Sequence, residues 1–162
     1  MKVTEPSVDA TGMRVAIVAA RFNHLISIRL IDGAREALIE HGLAEDDLEL
    51  IWVPGAFEIP QAARSLAASG RFDAIVTLGS VIRGGTPHFD YVCRGVTDGI
   101  REVMRDLDVP VGFGVLTTDN IDQALSRAGG SDGNKGGEVA LAAVEMAQLK
   151  SRSKGSGASQ NG

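Results

Sequence analysis

The residues best suited to chemistry lie in one short segment, residues 79–92, with the sequence GSVIRGGTPHFDYV. A run of small and β-branched residues ends at Arg83, and two glycines, Thr86 and Pro87 precede His88. Glycines expose backbone N–H groups, Thr86 adds a hydroxyl donor, and the positive end of a following helix attracts anions. Arg83 and Thr86 together therefore favour an anion-binding turn over a simple connector, although the spacing is not that of a P-loop.

His88 is the candidate for moving a proton at this turn. The start of a helix disfavours imidazolium, so a histidine there tends to stay neutral and can accept a proton near pH 7. A histidine alone is more often structural, but the adjacent anion site reverses that preference. His24 and His41 lack such neighbours, and Cys93 is interpreted as a small buried hydrophobe.

Composition excludes several classes of function. The 162 residues are 44% hydrophobic and 23% charged, which fits one globular domain, expected to span residues 1–150. A net charge of −5 argues against nucleic acid as a partner. The single cysteine excludes an intrachain disulfide and a cysteine metal cluster. The first residues do not form a signal peptide, and no apolar run reaches the length of a membrane span, which favours a cytoplasmic protein.

Strands alternate with helices along the chain. Strands are predicted over 13–20, 48–53, 74–82 and 111–116, and helices over 25–41, 60–68 and 90–107, then from a cap at Thr118 or Asp119 to about 128, and over 138–150. Residues 128–137 are predicted to be a loop, and 151–162 a disordered tail. This order predicts a parallel sheet of four strands covered by helices on both faces, a three-layer αβα sandwich.

Ligands of such sheets bind beyond the carboxyl ends of the strands. Phe22 follows the first strand, Glu58 the second, and the turn with His88 the third, so we expect them on one rim. Taken alone, the position of Phe22 predicts that its side chain packs the following helix onto the sheet. The alternative is that its ring is a flat apolar face for a planar ligand. Two interpretations of Glu58 are equally favoured: its carboxylate interacts with a helix dipole, or it accepts hydrogen bonds from ligand hydroxyls. Arg127 and Lys135 bracket a glycine loop and could clamp a phosphate.

Five segments together resemble the lumazine synthase family. They are RFN at 21–23, PGAFEIP at 54–60, GSVIRGGTPHFDYV at 79–92, GVLTTDN at 114–120 and RAGGSDGNKG at 127–136. The similarity runs from about residue 12 to 150, in the order and spacing of the family. It implies a flavodoxin-like fold and the condensation of 5-amino-6-(D-ribitylamino)uracil with 3,4-dihydroxy-2-butanone 4-phosphate. The products are 6,7-dimethyl-8-ribityllumazine, phosphate and water, formed in riboflavin biosynthesis without a metal or cofactor.

The resemblance also implies roles for individual residues. Phe22 stacks on the pyrimidine, and Glu58 binds ribityl hydroxyls. His88 transfers protons. Backbone groups of Ala56, Phe57, Ser80, Val81 and Ile82 hold the ring and the ribityl chain, Gly85 and Thr86 hold the phosphate with Lys135 nearby, and Phe113 and Arg127 arrive from a neighbouring subunit.

The resemblance further implies an assembly of identical subunits. The family forms homopentamers, and the short turn with GNKG at 133–136 favours a closed shell of roughly sixty subunits. The first eight residues are expected to add an edge strand to a neighbour's sheet. Riboflavin synthase is a further partner that the resemblance suggests. The sequence departs from the family at two positions. Gly85 stands where the family often has a residue with a side chain, so the phosphate site is expected to be looser. Ser131 stands where lysine is common, which lowers the local positive charge.

Two other functions fit part of the pattern. A non-catalytic flavodoxin-like module that binds flavin or lumazine would keep Phe22 and Glu58 but would need neither His88 nor Arg127. A riboflavin synthase of the archaeal type, which dismutates two lumazines, would have no use for the phosphate site. Mixing the protein with the two substrates of the first hypothesis distinguishes all three.

Overall fold

The computed structural model describes residues 1–155, and only the backbone of residues 154 and 155. In chain order the elements are β1 (Val15–Ala20), α1 (His24–Glu40), β2 (Leu48–Val53), α2 (Ile59–Ala68), β3 (Ala74–Ile82), α3 (His88–Leu107), β4 (Val111–Thr118), α4 (Ile121–Arg127), β5 (Ala128–Gly130), β6 (Gly133–Asn134) and α5 (Lys135–Gly155). One-turn 3₁₀ helices precede β2 and α2, at Glu45–Asp47 and Ala56–Glu58.

The four long strands form one parallel sheet in the order β2-β1-β3-β4. Val15 of β1 lies opposite both Leu48 and Ala74, so all four carboxyl ends reach the same edge. Every residue of β1 is buried, as the continuous apolar run of a central strand requires. The α/β fold with a four-stranded parallel sheet is therefore confirmed.

Helices cover both faces of this sheet. On one face α1, α4 and α5 pack through residues such as Leu30, Ala124 and Val144. On the other face α2 and α3 pack through residues such as Ile59 and Ile100. The chain thus folds as the three-layer αβα sandwich that the sequence predicts.

The segment predicted as a loop over 128–137 differs from the expectation. It contains the antiparallel hairpin of β5 and β6, and α5 begins at Lys135 rather than at residue 138. Helix α5 also continues to Gly155, so the first five residues of the predicted tail are helical, and residues 156–162 lie outside the described part. Helix α4 is capped by Asn120, whose side chain accepts a hydrogen bond from Gln123 N at 2.9 Å, and not by Thr118 or Asp119.

The N-terminal segment runs along α5 of its own chain. Residues 1–10 contain no strand, Ala10 is buried, and the Asp9 carbonyl accepts a hydrogen bond from Gln148 Nε2 at 2.6 Å. Strand β2 is one edge of the sheet. The strand shared with a neighbouring subunit stays a prediction, because it requires a second chain.

Candidate active site

Backbone hydrogen bonds tie together the turns that follow the strands. Phe22 N donates to Pro54 O at 3.1 Å, which joins the turns after β1 and β2. Asn23, in the left-handed conformation at φ 57°, extends its side-chain amide to Ser80 O at 2.8 Å. Arg83 N donates to Thr118 O at 2.9 Å and continues the pairing of β3 with β4. The rim of the sheet is therefore a connected unit.

A cavity of about 690 Å³ opens at this rim, within the size range of sites for small molecules. The structure brings nine of the predicted site residues to it: Phe22, Ala56, Phe57, Glu58, Ser80, Val81, Ile82, Thr86 and His88. Gly85 lies between the lining residues Gly84 and Thr86 without lining the cavity itself, and open space surrounds it.

Aromatic side chains give the cavity its flat apolar surface. Phe22 is 73% exposed, so it is not the packing residue that the sequence alone favours. Phe57 is held against α3, because a Cβ atom on Gly95 would lie only 2.5 Å from its ring. An exposed aromatic face beside a cavity suits a planar ligand.

The polar groups of the cavity differ in how they are satisfied. Glu58 stands before α2 without a capping hydrogen bond from its side chain, so its carboxylate is available to a ligand. Ser80 is 3% exposed, and within residues 1–155 its Oγ has no hydrogen-bond partner. An unsatisfied buried hydroxyl costs about 1–3 kcal/mol, which a ligand in the cavity can recover. The sequence pointed only to the Ser80 backbone, whose carbonyl is already engaged by Asn23.

The glycine turn leads into α3, whose first residue is His88. The residue before it, Pro87, supplies no capping side chain. Asp90 N donates to Pro87 O at 3.0 Å, which leaves the N–H groups of His88 and Phe89 as the ones an anion could meet. Tyr91 and Val92 also line the cavity, and sequence reasoning missed them. Their spacing of three and four residues from His88 places all three on one helix face, which is the signal that could have found them.

Arg83 does not face this cavity, contrary to the sequence expectation. Its Nε donates to Asp119 Oδ1 at 2.9 Å, and its Nη1 lies 3.3 Å from Asp90 Oδ1. Its guanidinium also lies 4.2 Å from the centroid of the Phe89 ring. The hydrogen bond to Asp119 raises the pKa of Arg83 above its already high ordinary value.

Phe113, Arg127 and Lys135 line a different depression, of about 240 Å³, formed by β4, the end of α4 and the start of α5. Arg127 Nη1 lies 3.4 Å from Asp132 Oδ2, and Lys135 Nζ lies 2.5 Å from Glu138 Oε2. These predicted site residues are therefore not brought together with Phe22 and His88 in a single chain.

The other histidines and the cysteine lie away from this chemistry. His24 stacks near Trp52, with ring centroids 5.1 Å apart, and His41 Nδ1 contacts Ala37 O at the end of α1. Cys93 is half-buried rather than fully buried, and burial raises the pKa of its thiol, which disfavours the nucleophilic thiolate. Among the described side chains, no group of three His, Cys, Asp or Glu is placed to hold a metal ion.

The fold and the cavity define a parallel α/β protein with a cavity at the carboxyl edge of its sheet, lined by aromatic side chains and a glycine-rich turn, where such sheets bind their ligands. The chain belongs to the 6,7-dimethyl-8-ribityllumazine synthase family, whose model matches residues 12–151. It is thereby placed among the transferases of riboflavin biosynthesis at the level of the family. Within residues 1–155, no helix is both long and apolar enough to cross a membrane.

Proposed function

We propose that this protein condenses 5-amino-6-(D-ribitylamino)uracil with 3,4-dihydroxy-2-butanone 4-phosphate to give 6,7-dimethyl-8-ribityllumazine. The observation that carries the proposal is the convergence of Phe22, Glu58 and the 84–88 turn on one cavity of a chain from this family. A planar ring, a polyol chain and a phosphate each have a matching surface there.

The substrates would lie in the cavity with their reacting groups near α3. Phe22 provides a face for the pyrimidine, and the free carboxylate of Glu58 accepts hydrogen bonds from ribityl hydroxyls. The phosphate binds at the turn containing Gly85 and Thr86, beside the uncapped N-terminus of α3. The unpartnered Ser80 hydroxyl adds a hydrogen bond at the inner wall of the cavity.

The chemistry then consists of proton transfers between aligned substrates. The amine of the pyrimidine attacks the ketone, and the resulting carbinolamine loses water to give an imine. Phosphate is then eliminated, and the ribitylamino nitrogen closes the ring on the remaining carbonyl carbon with loss of a second water. Each step moves a proton, and His88 at the mouth of α3 is placed to give and accept it. Holding the two substrates together supplies much of the remaining acceleration.

The site is completed by a second copy of the chain. Phe113, Arg127 and Lys135 carry the remaining aromatic face and the positive charge, yet they line a separate depression. A neighbouring subunit that presents this depression to the first cavity joins the two halves into one site. This supports an oligomer in which every site lies between two chains.

Mixing the purified protein with both substrates tests the proposal. Lumazine absorbance and fluorescence should appear only when both substrates are present, together with stoichiometric phosphate. A protein that binds preformed lumazine tightly but forms none would instead be a carrier. Formation of riboflavin from lumazine alone would identify the synthase of the next step.

A further inference from the structure

Arg83 lies at the centre of a small charged cluster beside the glycine turn. It contacts Asp119 after β4 and both Asp90 and Phe89 in the first turn of α3. These contacts join the ends of β3 and β4 to the start of α3. The turn that carries Thr86 lies between Arg83 on one side and Phe89 and Asp90 on the other. The contacts of the Arg83 guanidinium with Phe89 and Asp90 therefore join the two ends of this turn.

The cluster contains two carboxylates, whose negative charges repel an anion bound nearby. Asp90 and Asp119 lie on either side of Arg83, and their side chains are largely exposed, at 62% and 66%. Without the guanidinium, the negative charges of Asp90 and Asp119 would stand unpaired beside Arg83, at the start of the turn, and would oppose a phosphate there. The guanidinium cancels half of that charge and is itself occupied on both sides.

We propose that Arg83 is a positioning residue and counter-charge for the phosphate turn, and not a ligand of the phosphate. The proposal rests on the proposed function, because it assigns the phosphate of the substrate to the 84–88 turn. Its planar, forked donor group suits the task, since it contacts two carboxylates and stacks on a ring at the same time. A lysine offers one point charge and cannot reproduce this arrangement.

Arg83→Met is the first variant that tests the role. We expect the KM for the butanone phosphate, and the Kd for inorganic phosphate measured by ³¹P NMR titration, to rise about three- to tenfold. The KM for the pyrimidine should stay within about twofold, because Phe22 and Glu58 lie on other turns. Arg64→Met is the matched control, since Arg64 pairs with the exposed Asp106 away from the cavity, and it should change neither constant.

A second variant separates the counter-charge from a scaffold role. Adding Asp90→Asn and Asp119→Asn to Arg83→Met removes the two opposing charges and should restore most of the phosphate affinity. No recovery in this triple variant would overturn the proposal, because a scaffold residue or a direct ligand cannot be rescued by neutralising its partners. An equal rise in the KM of both substrates would overturn it as well.

The outcome is distinguishable from failure of the proposed function. If the unchanged protein forms no lumazine, the proposed reaction is wrong, and the ratio of phosphate Kd values still decides the role of Arg83. If Arg83→Met does not fold, the neutral and polar Arg83→Gln replaces it, with the same rescue by Asp90→Asn and Asp119→Asn. Wild-type protein that binds no inorganic phosphate would overturn the inference directly.

Discussion

At the scale of single residues, the proposed reaction depends most on His88. It is the first residue of α3 and lines the cavity beside the open N–H groups of that helix. Tyr91 and Val92, its neighbours on the same helix face, line the wall of the cavity. Under the proposed function, His88 is the cavity residue expected to transfer protons between the substrates.

Replacing His88 by alanine should slow lumazine formation by about 10²–10⁴-fold, the usual contribution of a general acid–base group. Stopped-flow absorbance measures the rate, and calorimetry with the pyrimidine measures binding. Binding should persist, because Phe22 and Glu58 are unchanged. Turnover equal to that of the unchanged protein would remove His88 from the mechanism.

Arg127→Ala should raise the KM for the butanone phosphate far more than the KM for the pyrimidine. A charge-assisted hydrogen bond contributes about 1.5–3 kcal/mol, which corresponds to roughly ten- to hundredfold in affinity. Initial rates with each substrate varied in turn give the two constants. Equal increases would make Arg127 a structural residue.

Asp132 provides the reciprocal variant. Its carboxylate lies 3.4 Å from Arg127 and competes with phosphate for the same guanidinium. Because the pair is exposed, Asp132→Asn should lower the KM for the phosphate substrate by only about two- to fivefold. The difference should shrink at high ionic strength, where exposed charges are screened.

At the scale of elements, contacts with α1 fix the position of the β5–β6 hairpin, which lies between Arg127 and Lys135. Asn134 donates to Arg29 O at 2.8 Å and accepts from Gly136 N at 2.8 Å, which fastens the β5–β6 hairpin to α1. A Cβ atom on Gly136 would lie 1.9 Å from Leu30 O. Only glycine permits this approach, and the approach fixes the hairpin between Arg127 and Lys135.

Gly136→Ala should therefore destabilise the fold despite the better helix propensity of alanine. A clash with backbone costs about 1–3 kcal/mol, and the midpoint of thermal unfolding should fall by about 3–10 °C. Gly85→Ala is the matched control, because nothing lies within 4 Å of the added methyl group. Calorimetry measures the midpoint of thermal unfolding of both variants. Equal midpoints would show that α1 and α5 move apart without loss of stability.

At the scale of the whole molecule, the predicted site residues are divided between two depressions, so the proposed function calls for neighbouring chains. Several large apolar side chains are exposed on a single chain, including Leu25, Leu50, Phe113 and Ile121. Apolar surface of this kind suits contacts between subunits. A cyclic arrangement uses every site equally, because each chain gives one half-site and receives the other.

We expect a closed assembly of pentamers with about sixty times the 17.0 kDa mass of the chain. The short hairpin turn favours this assembly, and a change of charge at Ser131 and Asp132 is the feature expected to weaken contacts between rings. Mass photometry of untagged protein near neutral pH measures the assembly. A single species of five or ten chains would exclude the shell and leave the proposed reaction intact.

At a butanone phosphate concentration well below the KM of the Arg127→Ala variant, two impaired variants should restore activity when they share an assembly. In oligomers refolded from equal amounts of His88→Ala and Arg127→Ala chains, about a quarter of the sites receive an intact cavity from one chain and an intact Arg127 from the other. Activity should rise to about that fraction of the unchanged protein. Separately assembled and then mixed variants are the control, and no gain in the co-assembled sample would place both residues in one chain's site.

The sequence determined the order of the elements and most of the first half-site. Strands β2 and β3 begin and end at the predicted residues, because runs of β-branched and apolar residues stop at Pro54 and at Gly84. The rim residues Phe22, Glu58 and His88 follow from the rule that parallel strands end at one edge. Such features depend on periodicity along the chain and on local turn chemistry.

Tertiary structure alone decided the features that depend on distant neighbours. Sequence placed the start of α5 too late because glycines at 136 and 137 are poor helix formers, yet their packing on α1 compensates for that cost. It assigned Arg83 to the anion, since the carboxylate of Asp119 lies 36 positions away along the chain. It could not see the unpartnered Ser80 hydroxyl or the separation of Arg127 from the cavity, because burial and distance are set only when the strands have paired and the helices have packed.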